Sequence, residues 1–284
     1  MMAAVSVIIP TFNRKQEVIR AVSSILSQSF TDFEIIVVDD GSSDGTKTAL
    51  DQFRDRITYI AHTTNRGVSA ARNTGIKQAR DPFIAFLDSD DYWLAEKLAV
   101  QIDFFNHHPQ ALICQTDEIW IRNGRRVNPK KRHLKPTGDI FNPCLKLCLV
   151  SPSAVMLKRS LFDEVGLFDE DLPACEDYDL WLRISYRYPI YLIKQRLIVK
   201  TGGNRDQLSS RYMGMDRFRI KALAKLIKSG ALNEAQTAAA GRELSLKCRI
   251  YGNGCIKRGK KEEGRYYLDL PSQLKEEIYG DFCR

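Results

Sequence analysis

The alternation of strand and helix signals over the first hundred residues is the feature that most constrains the fold. Four largely apolar runs, at residues 5–9, 33–38, 57–60 and 83–87, predict strands. Helical spacing of apolar residues between them predicts helices over about residues 15–28, 45–53 and 68–79. Buried strands that alternate with helices indicate an α/β fold with a doubly wound, mostly parallel sheet and helices on both faces.

Polar residues follow three of these strands at the points where they end. They are Thr11-Phe12-Asn13-Arg14, Asp39-Asp40 and Asp88-Ser89-Asp90. Because ligands bind at the carboxyl ends of strands in such sheets, we expect all three clusters to face one crevice.

The remainder of the chain divides into a less regular middle and a helical tail. Residues 111–121 and 153–158 predict strands, 123–124 a turn, 127–136 a mobile basic loop, and 177–188 a helix. From about residue 211 the pattern is helical, with a second helix over about 233–251 and a basic stretch at 257–261. We predict a catalytic domain over 1–210, with a ligand-binding half at 1–110 and a second half at 111–210, and a helical appendage over 211–284.

Composition narrows the class of protein. The 284 residues contain no apolar stretch of about 18 residues, and the N-terminus lacks the basic start of a signal peptide, so we expect a cytoplasmic protein. The seven cysteines are scattered without a CxxC, which favours reduced thiols. The net charge of +8 suits nucleotide diphosphates or an anionic lipid surface. Nucleic acid is disfavoured because the basic residues are not interleaved with aromatic ones.

Asp88-Ser89-Asp90 forms a DxD at a strand end. Two carboxylates there suit a hard cation, Mg²⁺ or Mn²⁺, which would stabilise the charge of a departing nucleoside diphosphate. A lone DxD is also common as solvated loop acids, so the motif alone does not establish a metal site.

Three further positions have both a functional and a structural interpretation. Asp40 can accept hydrogen bonds from a nucleoside, or serve a tight turn. Arg66 can pair with phosphate or hold a catalytic carboxylate, or form a surface salt bridge. Glu176 and Asp177 can face the crevice as a general base, or complement a helix N-terminus.

Together, in this order, these segments resemble the family 2 glycosyltransferases, which have the GT-A nucleotide-sugar fold. The matching segments are residues 7–14, 37–46, 65–67, 71–75, 87–91 and 176–177. The resemblance implies that Pro10, Thr11, Phe12, Arg14, Asp40, Arg66 and Asp88 bind the donor, and that Asp88 and Asp90 hold the metal. It also implies that Asp177 is the base, hence inversion at the anomeric carbon, with Glu176 and Trp181 at the acceptor.

Two departures from the family pattern refine the prediction. The chain lacks the Gln-x-x-Arg-Trp motif of processive synthases, which predicts one transfer per encounter. Residues 201–209 lack the histidine that many relatives use as a further metal ligand, which leaves Asn204 or Asp206 as substitutes.

We therefore predict a glycosyltransferase of cell-surface glycan synthesis that uses a nucleotide-sugar, with UDP as the default from the resemblance. The acceptor would be a glycan, a lipid-linked sugar or a protein, with peripheral membrane contact through residues 211–261. The alternatives are a nucleotidyltransferase, disfavoured because residues 11–14 contain no glycine, and a catalytically inactive sugar-nucleotide-binding protein.

Overall fold

The computed structural model describes residues 5–203, 212 and 214–279, and this part of the chain is built on one nine-stranded sheet. Its first half contains four parallel strands in the order β3-β2-β1-β4. They are β1 (Val5–Thr11), β2 (Phe33–Asp39), β3 (Thr58–Ala61) and β4 (Phe83–Phe86). The four strands predicted from the apolar runs are confirmed.

The second half of the sheet mixes strand directions. Strands β5 (Tyr92–Trp93), β6 (Ile113–Arg122), β7 (Arg125–Val127), β8 (Val155–Lys158) and β9 (Tyr191–Gly202) complete it. β8 is antiparallel to both β4 and β6, while β6 and β9 pair in parallel. β6 and β7 form a hairpin through Asn123 and Gly124, whose φ angles of 49° and 72° suit the tight turn predicted there.

Helices cover both faces of this sheet. They are α1 (Lys15–Leu26), α2 (Thr46–Leu50), α3 (Val68–Gln78), α4 (Lys97–His107), α5 (Phe141–Lys146), α6 (Leu161–Val165) and α7 (Glu176–Ser185). Alternate residues of β1 enter different core layers, Ile8 on one face and Val7 and Ile9 on the other. Burial on both faces explains why the strands are continuously apolar.

Helix α3 lies unusually close to β1. A Cβ added at Gly75 would lie 2.4 Å from Cγ2 of Ile8, so only glycine fits there without a shift of the neighbour. This contact fixes the position of α3, whose first turn begins beside the ends of β1 and β2.

The C-terminal helices are α8 (Asp216–Lys228), α9 (Glu234–Lys257) and α10 (Lys261–Tyr279). Asn233 caps α9 with a capping box, and α9 runs six residues beyond the predicted end. Helix α10 lies within the predicted helical appendage, although sequence analysis gave this helix no bounds of its own. Phe218, Leu244 and Leu274 join the core that includes α7, and the domain boundary at residue 210 stays a prediction. Among the described residues no helix is long and apolar enough to cross a membrane.

Candidate active site

A cleft of about 910 Å³ opens at the carboxyl ends of β1, β2 and β4. The three polar clusters meet in it, as predicted. Its lining includes eight of the predicted site residues: Pro10, Thr11, Phe12, Arg14, Asp40, Arg66, Asp88 and Asp90. Their proximity is a property of the fold, whereas their individual roles stay predictions.

Asp40 organises the loop that leads into α3. Its carboxylate accepts hydrogen bonds from the backbone amides of Arg66 at 2.9 Å and Gly67 at 2.7 Å, and lies 2.7 Å from Nδ1 of His62. Gly67 has a φ of 93°, which favours glycine and lets its amide face the carboxylate. Asp40 therefore shapes the cleft wall. Sequence analysis missed His62, because it lies in no recognisable motif.

Two buried hydroxyl groups line the same cleft without a partner. Within the described part of the chain, the side-chain oxygens of Thr11 and Ser69 form no hydrogen bond, although both residues are buried. An unpaired buried hydroxyl is unfavourable and uncommon in a folded protein. These two groups therefore suit a polar ligand that would supply the missing hydrogen bonds.

Arg72 joins the DxD segment to the start of α7. Its guanidinium is buried and lies 2.7 Å from Oδ1 of Asp88 and 2.7 Å from Oε1 of Glu176. Burial would raise the pKa of Asp88, but the ion pair with Arg72 brings this pKa below its usual value. Asp88 is consequently a carboxylate at neutral pH.

Arg66 forms a surface salt bridge, which is the structural interpretation given for it above. Its guanidinium pairs with Glu170 at 3.4 Å, and both side chains are largely exposed at the cleft edge. The arginine that holds the buried carboxylates is Arg72, six residues further along the chain. The predicted contact of Arg66 with a diphosphate stays a prediction.

Asp90 and the next residue, Asp91, are both held by Thr201, and each has a further partner. Oδ2 of Asp90 lies 2.5 Å from Arg14, and its carbonyl accepts a hydrogen bond from the Thr201 hydroxyl. Asp91 is buried and accepts hydrogen bonds from the Ser153 hydroxyl at 2.7 Å and the Thr201 amide at 2.9 Å. These contacts fix the acidic segment against the ends of β8 and β9.

Asp88 and Asp90 fit a divalent cation by their chemistry. Carboxylate oxygens are preferred ligands of Mg²⁺, which commonly takes one or two of them together with substrate phosphates and water. Across residues 5–203, 212 and 214–279, no group of three or more His, Cys, Asp and Glu side chains is placed to hold a metal ion. The candidate ligands Asn204 and Asp206 lie outside the described residues.

Glu176 and Asp177 begin α7 and have different surroundings. Burial and the neighbouring Asp177 raise the pKa of Glu176, while its ion pair with Arg72 opposes that effect. Asp177 is half-buried, accepts the Tyr178 amide at 2.7 Å, and has the Cys148 thiol 3.4 Å from its Oδ2. Neither acid is among the residues that line the cleft, so both lie behind its immediate wall.

The predicted acceptor contact of Trp181 requires correction. Trp181 is buried in the core, where its ring packs edge-on against Phe168 with centroids 6.4 Å apart. It lies one helical turn beyond Asp177, on the part of α7 that faces the core.

Lys200 is a cleft residue that sequence analysis missed. It lies near the end of β9, and its Nζ donates to the Ser151 hydroxyl at 3.1 Å. Burial would lower the pKa of Lys200, but Glu118, Asp91, Asp88 and Asp177 raise it above its usual value. A permanently charged amine in the cleft suits an anionic ligand. No sequence motif marks it, because it lies 110 residues beyond Asp90.

Comparison with known proteins agrees with this geometry. The family described as glycosyl transferase family 2 matches residues 6–166. An uncharacterized glycosyltransferase of Rickettsia conorii is 34% identical over 201 residues, which are 68% of this chain and 32% of that protein. The chain thus spans about a third of the length of that relative. The Escherichia coli protein WfgD, named UDP-Glc:alpha-D-GlcNAc-diphosphoundecaprenol beta-1,3-glucosyltransferase, is 36% identical over 63% of this chain and 69% of its own.

Solved structures show the same architecture. Staphylococcus aureus TarS 1–349 in complex with UDP-GlcNAc superposes with a TM-score of 0.74 at 21% identity, covering 96% of this chain and 80% of that one. This likeness supports the fold, and the matched family covers more than half of the chain. The chain therefore belongs to glycosyl transferase family 2 and has the GT-A fold.

Proposed function

We propose that this chain transfers a sugar from a UDP-sugar to a hydroxyl group of a lipid-linked saccharide, with inversion and one transfer per encounter. The observation that carries the proposal is the bridge formed by Arg72. It ties Asp88, at the donor side of the cleft, to Glu176, beside the candidate base. The name of WfgD, a UDP-Glc-dependent enzyme acting on a diphosphoundecaprenol-linked sugar, supports the donor and acceptor classes.

The donor would occupy the cleft between β1 and α3. The buried hydroxyls of Thr11 and Ser69 could form hydrogen bonds with polar groups of the donor. Lys200 supplies a positive charge that could pair with the diphosphate. Asp88 and Asp90 would hold the divalent cation, which would stabilise the negative charge of the leaving diphosphate. These groups together fit a charged nucleotide better than a neutral ligand.

Asp177 is the proposed general base. One oxygen of Glu176 is engaged by Arg72, and the residue is buried, so its carboxylate serves to position α7. Asp177 is more exposed than Glu176 and forms no ion pair with the other described residues. General-base assistance of this kind contributes roughly 10²–10⁴-fold to a rate. A single displacement on an α-linked donor gives a β-linked product, the linkage in the name of WfgD.

The first experiment is an assay of product formation. The purified chain is incubated with a panel of nucleotide-sugars and a short-chain N-acetylglucosaminyl diphospholipid, with free nucleoside diphosphate and product mass measured. We expect release of UDP and a one-sugar mass gain, lost in chelator and restored by Mn²⁺ or Mg²⁺. Release of pyrophosphate would indicate a nucleotidyltransferase. Donor binding without turnover on any acceptor would indicate an inactive binding protein, and full activity in chelator would contradict the metal assignment.

A further inference from the structure

Six exposed cations crowd the hairpin after β6. We call them the basic rim: Arg122, Arg125, Arg126, Lys130, Lys131 and Arg132. Residues 119–138 contain these six and Lys135 but no Asp or Glu, although the whole chain has a net charge of only +8. In the part of the chain that the structure describes, none of the six forms an ion pair. Protein surfaces normally mix positive and negative side chains, so a surface with only positive charges suggests a binding site for an anionic partner.

The basic rim begins at the mouth of the cleft. β6 pairs with β9 so that Trp120 lies opposite Lys200 and Arg122 opposite Gly202. Lys200 belongs to the cleft lining. The strand that carries Lys200 into the cleft therefore runs beside the strand that leads to the rim.

The base of this segment is fixed from within. Lys135 forms a buried ion pair with Glu118 at 2.8 Å and donates to the Thr116 carbonyl at 3.2 Å. The indole of Trp120 donates to Glu118 at 2.6 Å. The segment predicted as a mobile loop is thus anchored to β6, with its other cations outside. Leu134, 64% exposed, adds an apolar side chain beside them.

We propose that the basic rim docks on an anionic lipid surface and so holds the cleft mouth against the membrane. A single diphosphate would engage two or three cations, whereas an array of six with an adjacent exposed leucine suits a surface of many headgroups. Single-stranded nucleic acid would require open aromatic faces, and the Trp120 ring is flanked by Arg122 and His133. The proposal concerns binding to lipid alone and does not depend on the acceptor proposed above.

The test is co-sedimentation with phosphatidylcholine vesicles with and without phosphatidylglycerol, in the absence of donor and acceptor. One variant neutralises rim charges: Arg125→Gln, Arg126→Gln, Lys131→Gln. A matched control neutralises three exposed cations at the α9–α10 junction: Lys257→Gln, Arg258→Gln, Lys261→Gln. Each rim charge should contribute about fivefold, so the rim variant should bind roughly a hundredfold more weakly. The control should bind within a few-fold of the unchanged chain, which would argue against the membrane contact that the sequence predicts through residues 211–261.

Binding of the unchanged chain should require phosphatidylglycerol and weaken with added salt. Equal losses in both variants would overturn the proposal, because net charge and not the rim would then govern binding. Binding that ignores phosphatidylglycerol, or retention on a nucleic-acid column with no vesicle binding, would overturn it as well. Normal sugar transfer to a detergent-dispersed acceptor by the rim variant would leave the proposed function intact, so the two ideas fail separately.

Discussion

Replacement of Arg72 by methionine should destabilise the protein strongly. The Arg72 side chain is 4% exposed and lies 2.7 Å from both Asp88 and Glu176, which are 27% and 7% exposed. Removing one member of a buried ion pair costs about 3–5 kcal/mol, because the remaining charge stays buried without compensation. Asp88 is exposed enough for water to solvate its charge in part, so most of the loss should come from Glu176. We therefore expect the free energy of unfolding to fall by about 3–5 kcal/mol in total. This is a large share of a typical stability of about 5–15 kcal/mol.

The assay is urea unfolding followed by tryptophan fluorescence at neutral pH. Arg66→Met is the matched control. Arg66 lies 3.4 Å from Glu170, and the two side chains are 52% and 41% exposed, respectively. Such a surface pair contributes less than about 1 kcal/mol. If Arg72→Met loses no more free energy of unfolding than Arg66→Met, the structural role of Arg72 is refuted.

Two further measurements separate the buried charge from lost packing. Arg72→Met combined with Glu176→Gln should be more stable than Arg72→Met alone, because the neutral amide removes the uncompensated charge. The deficit of the single variant should also shrink as pH falls. Burial and Asp177 raise the folded-state pKa of Glu176 to about 7 even with Arg72 present, and loss of Arg72 raises it further, so protonation favours the folded state of the variant. A deficit that is independent of pH would point to packing instead.

Three other changes test separate parts of the structure. Asp177→Asn should lower kcat by at least about 10²-fold with donor affinity nearly unchanged; near-normal turnover alongside an inactive Glu176→Gln would show that the base is the other acid. Burial lowers the pKa of Lys97 to about 7, so the unfolded chain binds more protons above that pH. The difference in urea stability between the unchanged chain and Lys97→Met should therefore rise from pH 7 towards 10 by up to about 1.4 kcal/mol per unit, and a difference that is independent of pH would contradict the lowered pKa. Gly75→Ala would bring its Cβ to 2.4 Å from Ile8 and should cost about 1–3 kcal/mol of unfolding free energy; an unchanged urea midpoint would contradict the close packing of α3.

Sequence by itself determined the parallel first half of the sheet and the location of the site. The four apolar runs became β1 to β4, because strands buried on both faces must be apolar throughout. Parallel strands place their carboxyl ends at one edge, so Thr11, Asp40 and Asp88 could be assigned to one cleft from their order in the chain. Both signals are local, since each depends only on residues within one strand and its turn.

Tertiary structure decided which side chains reach that cleft. Arg66 and Arg72 lie in one segment, yet only the packing of α3 on β1 turns Arg72 inward to two carboxylates and leaves Arg66 at the edge. Lys200 enters the cleft through the pairing of β9 with β6, which joins residues about 80 apart.

Helix α7 shows the same limit at shorter range. Asp177 and Trp181 share one helical face, since they are four residues apart, and the family resemblance implies that Trp181 contacts the acceptor near Asp177. Four residues advance about 6 Å along a helix axis, which is enough to carry Trp181 from the edge of the site into the core beside Phe168. Periodicity fixes the face of a helix on which a residue lies. Only the packing of the whole chain decides how deep along its axis that face is buried.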